Sequence, residues 1–142
     1  MKPGRLLGLD PGQRRIGVAL SDPRGVIASP HSVIDQRLHD PLVVIAELCR
    51  EQEVATIVVG LPISLSGVEG LAAEAARSFG DQVANATGRN LVYCDERFTS
   101  VQAERILLKA DVRRSKRREV RDKVAAAVML QGYLDAENLK ES

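Results

Sequence analysis

A chain whose elements run βββ-α-β-α-β-α-α is expected to fold as α/β: a mixed five-stranded sheet, a three-stranded antiparallel meander plus two parallel strands, with helices on both faces. Three observations predict that order. Short apolar segments separated by tight-turn residues fill roughly the first thirty positions, and helical and β-branched segments alternate after them. The composition, 44% hydrophobic and 27% charged over 142 residues, is that of a soluble globular domain. With no linker or internal repeat in view, one domain over residues 1–142 is expected.

The elements follow from local chemistry. Arg5-Leu-Leu-Gly-Leu-Asp10 is apolar on both alternating faces, as a central covered strand requires, and Asp10-Pro11-Gly12 turns the chain. Ile16, Val18 and Leu20 alternate with smaller residues, and Pro23-Arg24-Gly25 turns into a third strand starting at Val26-Ile27. Asp40-Pro41 supplies an N-cap residue and a proline at the first helical position, and Leu42, Ile45, Ala46, Leu48 and Cys49 recur at helical spacing, giving a helix over 41–53. Ala55 to Gly60 is β-branched on both faces, a buried parallel strand. Ser66 with Glu69 has capping-box spacing and opens a helix over 67–87. Leu91 to Cys94 is the last strand. Thr99 with Gln102 repeats the capping spacing for a helix ending near Lys109, and Ser115 caps a final helix over 116–138.

Several function classes are set aside by composition. No apolar run approaches the roughly 18 to 20 residues of a membrane span, and the amino terminus lacks a signal-peptide pattern, so a cytoplasmic protein with no membrane partner is expected. Cys49 and Cys94 have no metal-ligand spacing and read as small buried hydrophobes, which removes disulfide and zinc frameworks. The net charge of +1 and an aromatic content of 3% argue at face value against a nucleic-acid binder. The average, however, conceals segregation: residues 105–123 carry nine Lys and Arg against three Asp and Glu.

Carboxylates gather where an α/β sheet binds ligands, beyond the carboxyl ends of its parallel strands. Asp10 closes the first strand and Asp95-Glu96 closes the last, although Asp-Pro-Gly is also ordinary turn chemistry. Asp122 precedes Val124 to Leu130, a stretch apolar all round, and shares a helix face with Ala125, Ala126 and Met129. A carboxylate there needs a partner, and Arg118 or a neighbouring lysine would serve as a purely structural one. Lys116, Arg117 and Arg118 occupy the first helical turn, where the macrodipole disfavours exposed cations by about 0.3 to 1 kcal/mol each. A polyanion lying across that end would explain them; a solvated basic face is the plainer alternative. Three carboxylates converging on one sheet end offer oxygen-only ligands, which suit Mg²⁺ or Mn²⁺, and two such ions can drive phosphodiester hydrolysis.

Four blocks carry a family resemblance: Asp10-Pro-Gly-Gln-Arg-Arg-Ile-Gly-Val-Ala-Leu-Ser-Asp22; Gly60-Leu-Pro62 with Gly67 and Gly70; Asp95-Glu-Arg-Phe-Thr99; and Asp122 followed by Lys123 to Ala127. In this order and spacing, over nearly the whole chain, they resemble the signature of the YqgF family, the RuvX or RuvC-like group of pre-16S ribosomal RNA nucleases. The resemblance implies an RNase H-like fold, a cytoplasmic location and metal-dependent trimming of the 5′ end of the 16S ribosomal RNA precursor. It also implies that Asp10, Glu96 and Asp122 hold the metal. Glu96 is preferred to Asp95 because family relatives place a glutamate at that strand end, and strand alternation sends the two to opposite faces. Arg14 and Arg15 resemble the family's basic pair. With Arg97, Arg113, Arg114, Lys116, Arg117 and Arg118 they are the expected phosphate contacts, and Gly60, Pro62, Gly67 and Gly70 shape a loop beside them. Ser64, Ser66 and Ser100 depart from common family residues without touching the triad.

Rival functions remain open to test. A Holliday-junction resolvase shares the fold and works as a two-fold dimer; here a monomer or weak homodimer is expected. A non-catalytic RNA-binding or transcription accessory factor would keep nucleic-acid affinity without cleavage. An ATP-binding protein of the actin and sugar-kinase type needs two such domains, and 142 residues supply one. Scarce aromatics favour a grip on backbone phosphate over base stacking, with strong salt dependence.

Overall fold

The doubly apolar first segment, β1 (Arg5–Pro11), takes the central position of a five-stranded sheet in the computed structural model of the chain. The structure describes residues 4–62, 70–95 and 114–140, with the backbone alone for 114–119. Beside β1 run β2 (Arg15–Ser21) and, outside it, β3 (Ala28–Asp35), both pairings antiparallel. On its other side run β4 (Val54–Leu61) and β5 (Asn90–Asp95), both pairings parallel, so the order is β3-β2-β1-β4-β5. Helix α1 (Pro41–Glu51) and helix α2 (Leu71–Thr87) supply the connections around β4, and α3 (Arg114–Lys140) ends the described chain. The meander, the two parallel strands and the helices on both faces are as the sequence predicts.

The faces are built from different material. Toward α1 and α2, β1 and β2 point Leu7, Leu9, Ile16 and Val18, which meet Ile45, Leu48, Cys49 and Val83. Toward α3, the same strands present Leu6, Gly8, Gly17 and Ala19, which meet Ala126, Met129, Leu130 and Leu134. Burying each large aliphatic side chain contributes about 1.5 to 3 kcal/mol, so the first face supplies more of the stability. On the second face the helix backbone comes closer, because little side chain stands in its way.

Element boundaries differ from expectation where loop chemistry intervenes. β3 begins at Ala28, not at Val26-Ile27, because Asp22 Oδ1 accepts the N–H groups of Val26 (2.7 Å) and Ile27 (2.8 Å) and diverts them from the ladder. Gln131 on α3 then pins this loop, donating to the Val26 carbonyl and accepting from Ala28 N, both at 2.8 Å. α1 is capped as expected, by Asp40 accepting from Leu42 N at 3.0 Å, but it ends at Glu51, not 53, as Glu53 takes a left-handed φ of 53° to enter β4. α2 begins at Leu71, not 67, since Gly70 is extended and caps without a side chain; the Ser66–Glu69 box lies outside the described residues. The helix expected over 99–109 lies outside them as well. α3 begins at Arg114, so Ser115 falls inside its first turn rather than at its cap.

Cys49 is buried and Cys94 half-buried, neither joined in a disulfide, and burial pushes the Cys49 thiol pKa up. No helix among the described residues is long and apolar enough to cross a membrane.

Candidate active site

Alternation along β1 sends Leu6, Gly8 and Asp10 to the α3 face. In the antiparallel register Asp10 stands opposite Gly17, and residues paired in this way share a face. Gly17 has no side chain, and a Cβ built there would collide with the carbonyl oxygen of Asp122. Asp10 from the first strand and Asp122 from the last helix, the two described residues predicted to supply the site's carboxylates, thus flank one glycine. Both are partly buried. Sequence alternation alone does not reveal this, since Gly17 looks like one small residue among several in the second strand.

Arg15 completes the group. It lies two residues before Gly17 on the same face, and its Nε donates to Asp122 Oδ2 at 2.8 Å. The partner that the described residues give Asp122 is therefore this strand residue; the side chain of Arg118, expected as a structural pairing, lies outside the described ones. The reason is geometric: the glycine contact brings Asp122 against β2, within reach of a strand side chain. Asp122 Oδ1 carries no hydrogen bond among the described residues.

The β1–β2 turn beside the carboxylates is held rigidly. Gly12 N donates to the Arg15 carbonyl at 3.0 Å, and a Cβ on Gly12 would lie 2.7 Å from that oxygen, so glycine is required. Gln36, just beyond β3, donates through Nε2 to the Gly12 carbonyl at 3.0 Å, and its backbone N–H donates to the Arg14 carbonyl at 2.9 Å. Sequence reading did not single out Gln36, and nothing in its local pattern marks it. The Arg14 side chain is exposed at the turn.

The remaining expected residues are unevenly described. β5 turns Val92 and Cys94 toward α3 and Leu91 and Tyr93 toward α1 and α2; Asp95, its last residue, follows the register of Tyr93 and stands on the face away from Asp10. Glu96, Arg97, Gly67 and Arg113 lie outside the described residues. Arg114, Lys116, Arg117 and Arg118 fall at the start of α3, about two turns or less before Asp122. Gly60 is buried in β4, Pro62 follows the strand, and Gly70 caps α2. Among the described residues no three His, Cys, Asp or Glu side chains form a metal cluster. A cavity of about 690 Å³ adjoins the same turn on the α2 side, bounded by Pro11, Gln36, Leu71 and Phe79, and none of its described lining residues is titratable.

A family model described as RuvX, Holliday junction resolvase, matches residues 4–136. The chain belongs to the RuvX family. Its relatives include a protein of Syntrophomonas wolfei, 42% identical over 136 residues that span 95% of this chain and 96% of the relative. Another, from Symbiobacterium thermophilum, is 47% identical over 133 residues, 93% of this chain and 92% of the relative. Both are named as pre-16S rRNA nucleases. Among solved structures, Thermus thermophilus RuvC in complex with a Holliday junction substrate aligns with a TM-score of 0.57 at 15% identity, over 95% of this chain and 96% of that one. The yeast mitochondrial Holliday junction resolvase Ydc2 aligns at 0.59 and 13% identity, over 98% and 81%. These two likenesses fix the RuvC-type, RNase H-like fold. Family model and close relatives agree on the class of activity, and this RuvX chain is a nuclease.

Proposed function

We propose that this RuvX chain is a divalent-metal-dependent hydrolase of phosphodiester bonds that works on the 5′ end of precursor 16S ribosomal RNA in the cytoplasm. It would act as a single domain over residues 1–142, as a monomer or weak homodimer, and without a membrane partner. The observation that carries the reading is the meeting of Asp10 and Asp122 across Gly17. Two partly buried carboxylates on one face, one with an oxygen that carries no hydrogen bond among the described residues, make an oxygen-only donor set that fits a hard cation. Asp10, Asp122 and Glu96 would hold Mg²⁺ or Mn²⁺, two ions in all; the placement of Asp95 on the other face supports Glu96 as the third ligand.

When bound, the ions supply Lewis acidity for the attacking water and for the leaving oxygen. The chain itself does the positioning. Asp10 is fixed by the centre of the sheet and Asp122 by the glycine contact, so neither needs to reorganise when substrate arrives. Arg14, at the exposed turn, and Arg114, Lys116, Arg117 and Arg118, at the start of α3, would take backbone phosphates; Arg97 and Arg113, expected for the same role, lie outside the described residues.

The relatives named for pre-16S rRNA are 42% and 47% identical over nearly the whole chain, which favours precursor RNA as substrate. The description of the matching model favours a second reading, resolution of branched DNA. Cleavage of precursor 16S RNA and of a four-way DNA junction, each with Mn²⁺ and with D10N as control, separates the two. Preferential trimming of the RNA, lost in D10N, is expected. Preferential junction cutting favours the resolvase, cleavage that survives D10N overturns the carboxylate assignment, and RNA binding without any cleavage favours an accessory factor.

A further inference from the structure

Arg15 sits directly across the β2–β3 pair from Asp35, the carboxylate that register makes its natural partner. It does not use it. Asp35 accepts from Arg37, through the backbone N–H at 3.0 Å and through the guanidinium at 3.4 Å, and these contacts hold its carboxyl below the usual carboxylate range. Arg15 instead reaches over the α3 face of the sheet to Asp122, 107 residues further along the chain, and does so through Nε alone. Neither Nη group makes a hydrogen bond among the described residues. The Arg15 side chain is only 20% exposed, so it is held at the site rather than waving in solvent.

A guanidinium has five N–H donors in a fixed plane, and its Nη pair matches two oxygens of a phosphate. A cation one hydrogen bond away from a carboxylate also opposes the arrival of a second cation there. We propose that Arg15 is a positioning residue with two roles. Its Nε holds Asp122 and opposes divalent-cation binding, while its Nη pair takes a backbone phosphate, so that Arg15 ties cation loading at Asp122 to the presence of substrate. The second role offsets the first: an anion on the Nη pair neutralises the guanidinium and makes Asp122 a better ligand. By linkage, the cation in turn favours the phosphate.

This inference rests on the reading of Asp122 as a metal ligand, and the experiment separates the two. Mn²⁺ binding is followed without nucleic acid, by loss of the free-ion electron paramagnetic resonance signal. Binding of a single-stranded RNA oligonucleotide is followed without metal, in chelator. Wild type, R15Q, R15K and D122N are compared in both, with thermal melting as a folding control. R15Q is expected to bind Mn²⁺ about tenfold more tightly than wild type, because a positive neighbour is gone. It is expected to bind RNA about five- to tenfold more weakly, with a salt slope shallower by about one. R15K keeps the charge but not the fork, so Mn²⁺ affinity stays within about twofold of wild type while RNA binding still weakens. Unchanged or weaker Mn²⁺ binding in R15Q, or wild-type RNA affinity in R15Q or R15K, overturns the proposal while leaving Asp122 as a ligand. Wild-type Mn²⁺ affinity in D122N overturns the ligand reading, and the proposal with it. If R15Q does not fold, R15K decides: wild-type RNA affinity there overturns the proposal.

Discussion

On the face of the sheet under α1 and α2, large aliphatic side chains interdigitate and no carboxylate of the proposed site is present. On the face under α3, glycine and alanine bring backbone against backbone, and Asp10, Asp122 and Arg15 stand together at one end. The two faces divide the labour of one sheet. Volume fills the first, and a core filled by volume tolerates exchanges that keep volume and pattern. Close approach defines the second, where an added methyl has nowhere to go and where the position of a charged group is set by main-chain packing.

The sharpest test sets one substitution on each face side by side. D10N keeps the shape of the side chain and removes its charge. Cleavage is expected to fall by about a thousandfold or more while the melting temperature holds or rises slightly. I57A removes a fully buried side chain from the opposite face and is expected to cost about 2 to 5 kcal/mol of stability. Cleavage per folded molecule should remain near wild type. Kinetics and thermal melts on the same preparations decide it. If I57A lost catalysis as deeply as D10N at a temperature where both are folded, the division between the faces would not hold.

G17A is the intermediate case, because it alters the α3 face without touching a charge. Its methyl would meet the Asp122 carbonyl, so α3 must shift. Overpacking of this kind costs about 1 to 3 kcal/mol. A displacement of the order of 1 Å at a catalytic group is expected to lower cleavage by about a hundredfold. Loss of stability with full activity would mean that the glycine contact serves packing and not the placement of Asp122.

Much of the fold is legible in the sequence, residue by residue. The strands and α1 declare themselves through β-branched alternation and the Asp40-Pro41 cap, which are local signals. Asp10 and Asp122 stand out in the sequence because both sit at ends of strongly apolar segments, where a carboxylate is anomalous. What stayed hidden depends on tertiary contact. Arg15 looks like half of a basic pair, yet the structure joins it to Asp122 over 107 residues of chain. Gln36 and Gly17 carry no local mark, because one acts through turn carbonyls from another strand and the other through the side chain it lacks. β3 starts later than alternation predicts because the Asp22 side chain competes for the N–H groups of Val26 and Ile27, and propensity does not count that competition.

The far end of the α3 face offers the mildest contrast with the site end. There α3 meets the β2–β3 loop through Gln131, and the loop is gathered around Asp22. The backbone N–H groups of Ile27 and Val26 donate to the Asp22 carboxylate and hold its pKa below the usual carboxylate range. A carboxyl whose folded pKa is depressed adds stability above its unfolded pKa and loses that contribution as pH falls through the folded value. The group lies at the surface and is solvated, so the effect is small. Wild type should melt slightly above D22N at about pH 6, and the gap should close on acidification toward about pH 2, as both states become protonated. Nuclease activity at neutral pH should differ little between the two, because the substitution lies at the end of α3 opposite Asp122. A large loss of cleavage in D22N would mean that the loop end and the carboxylate end of this face are coupled through the helix, and that α3 acts as one rigid lever rather than as two separate contacts.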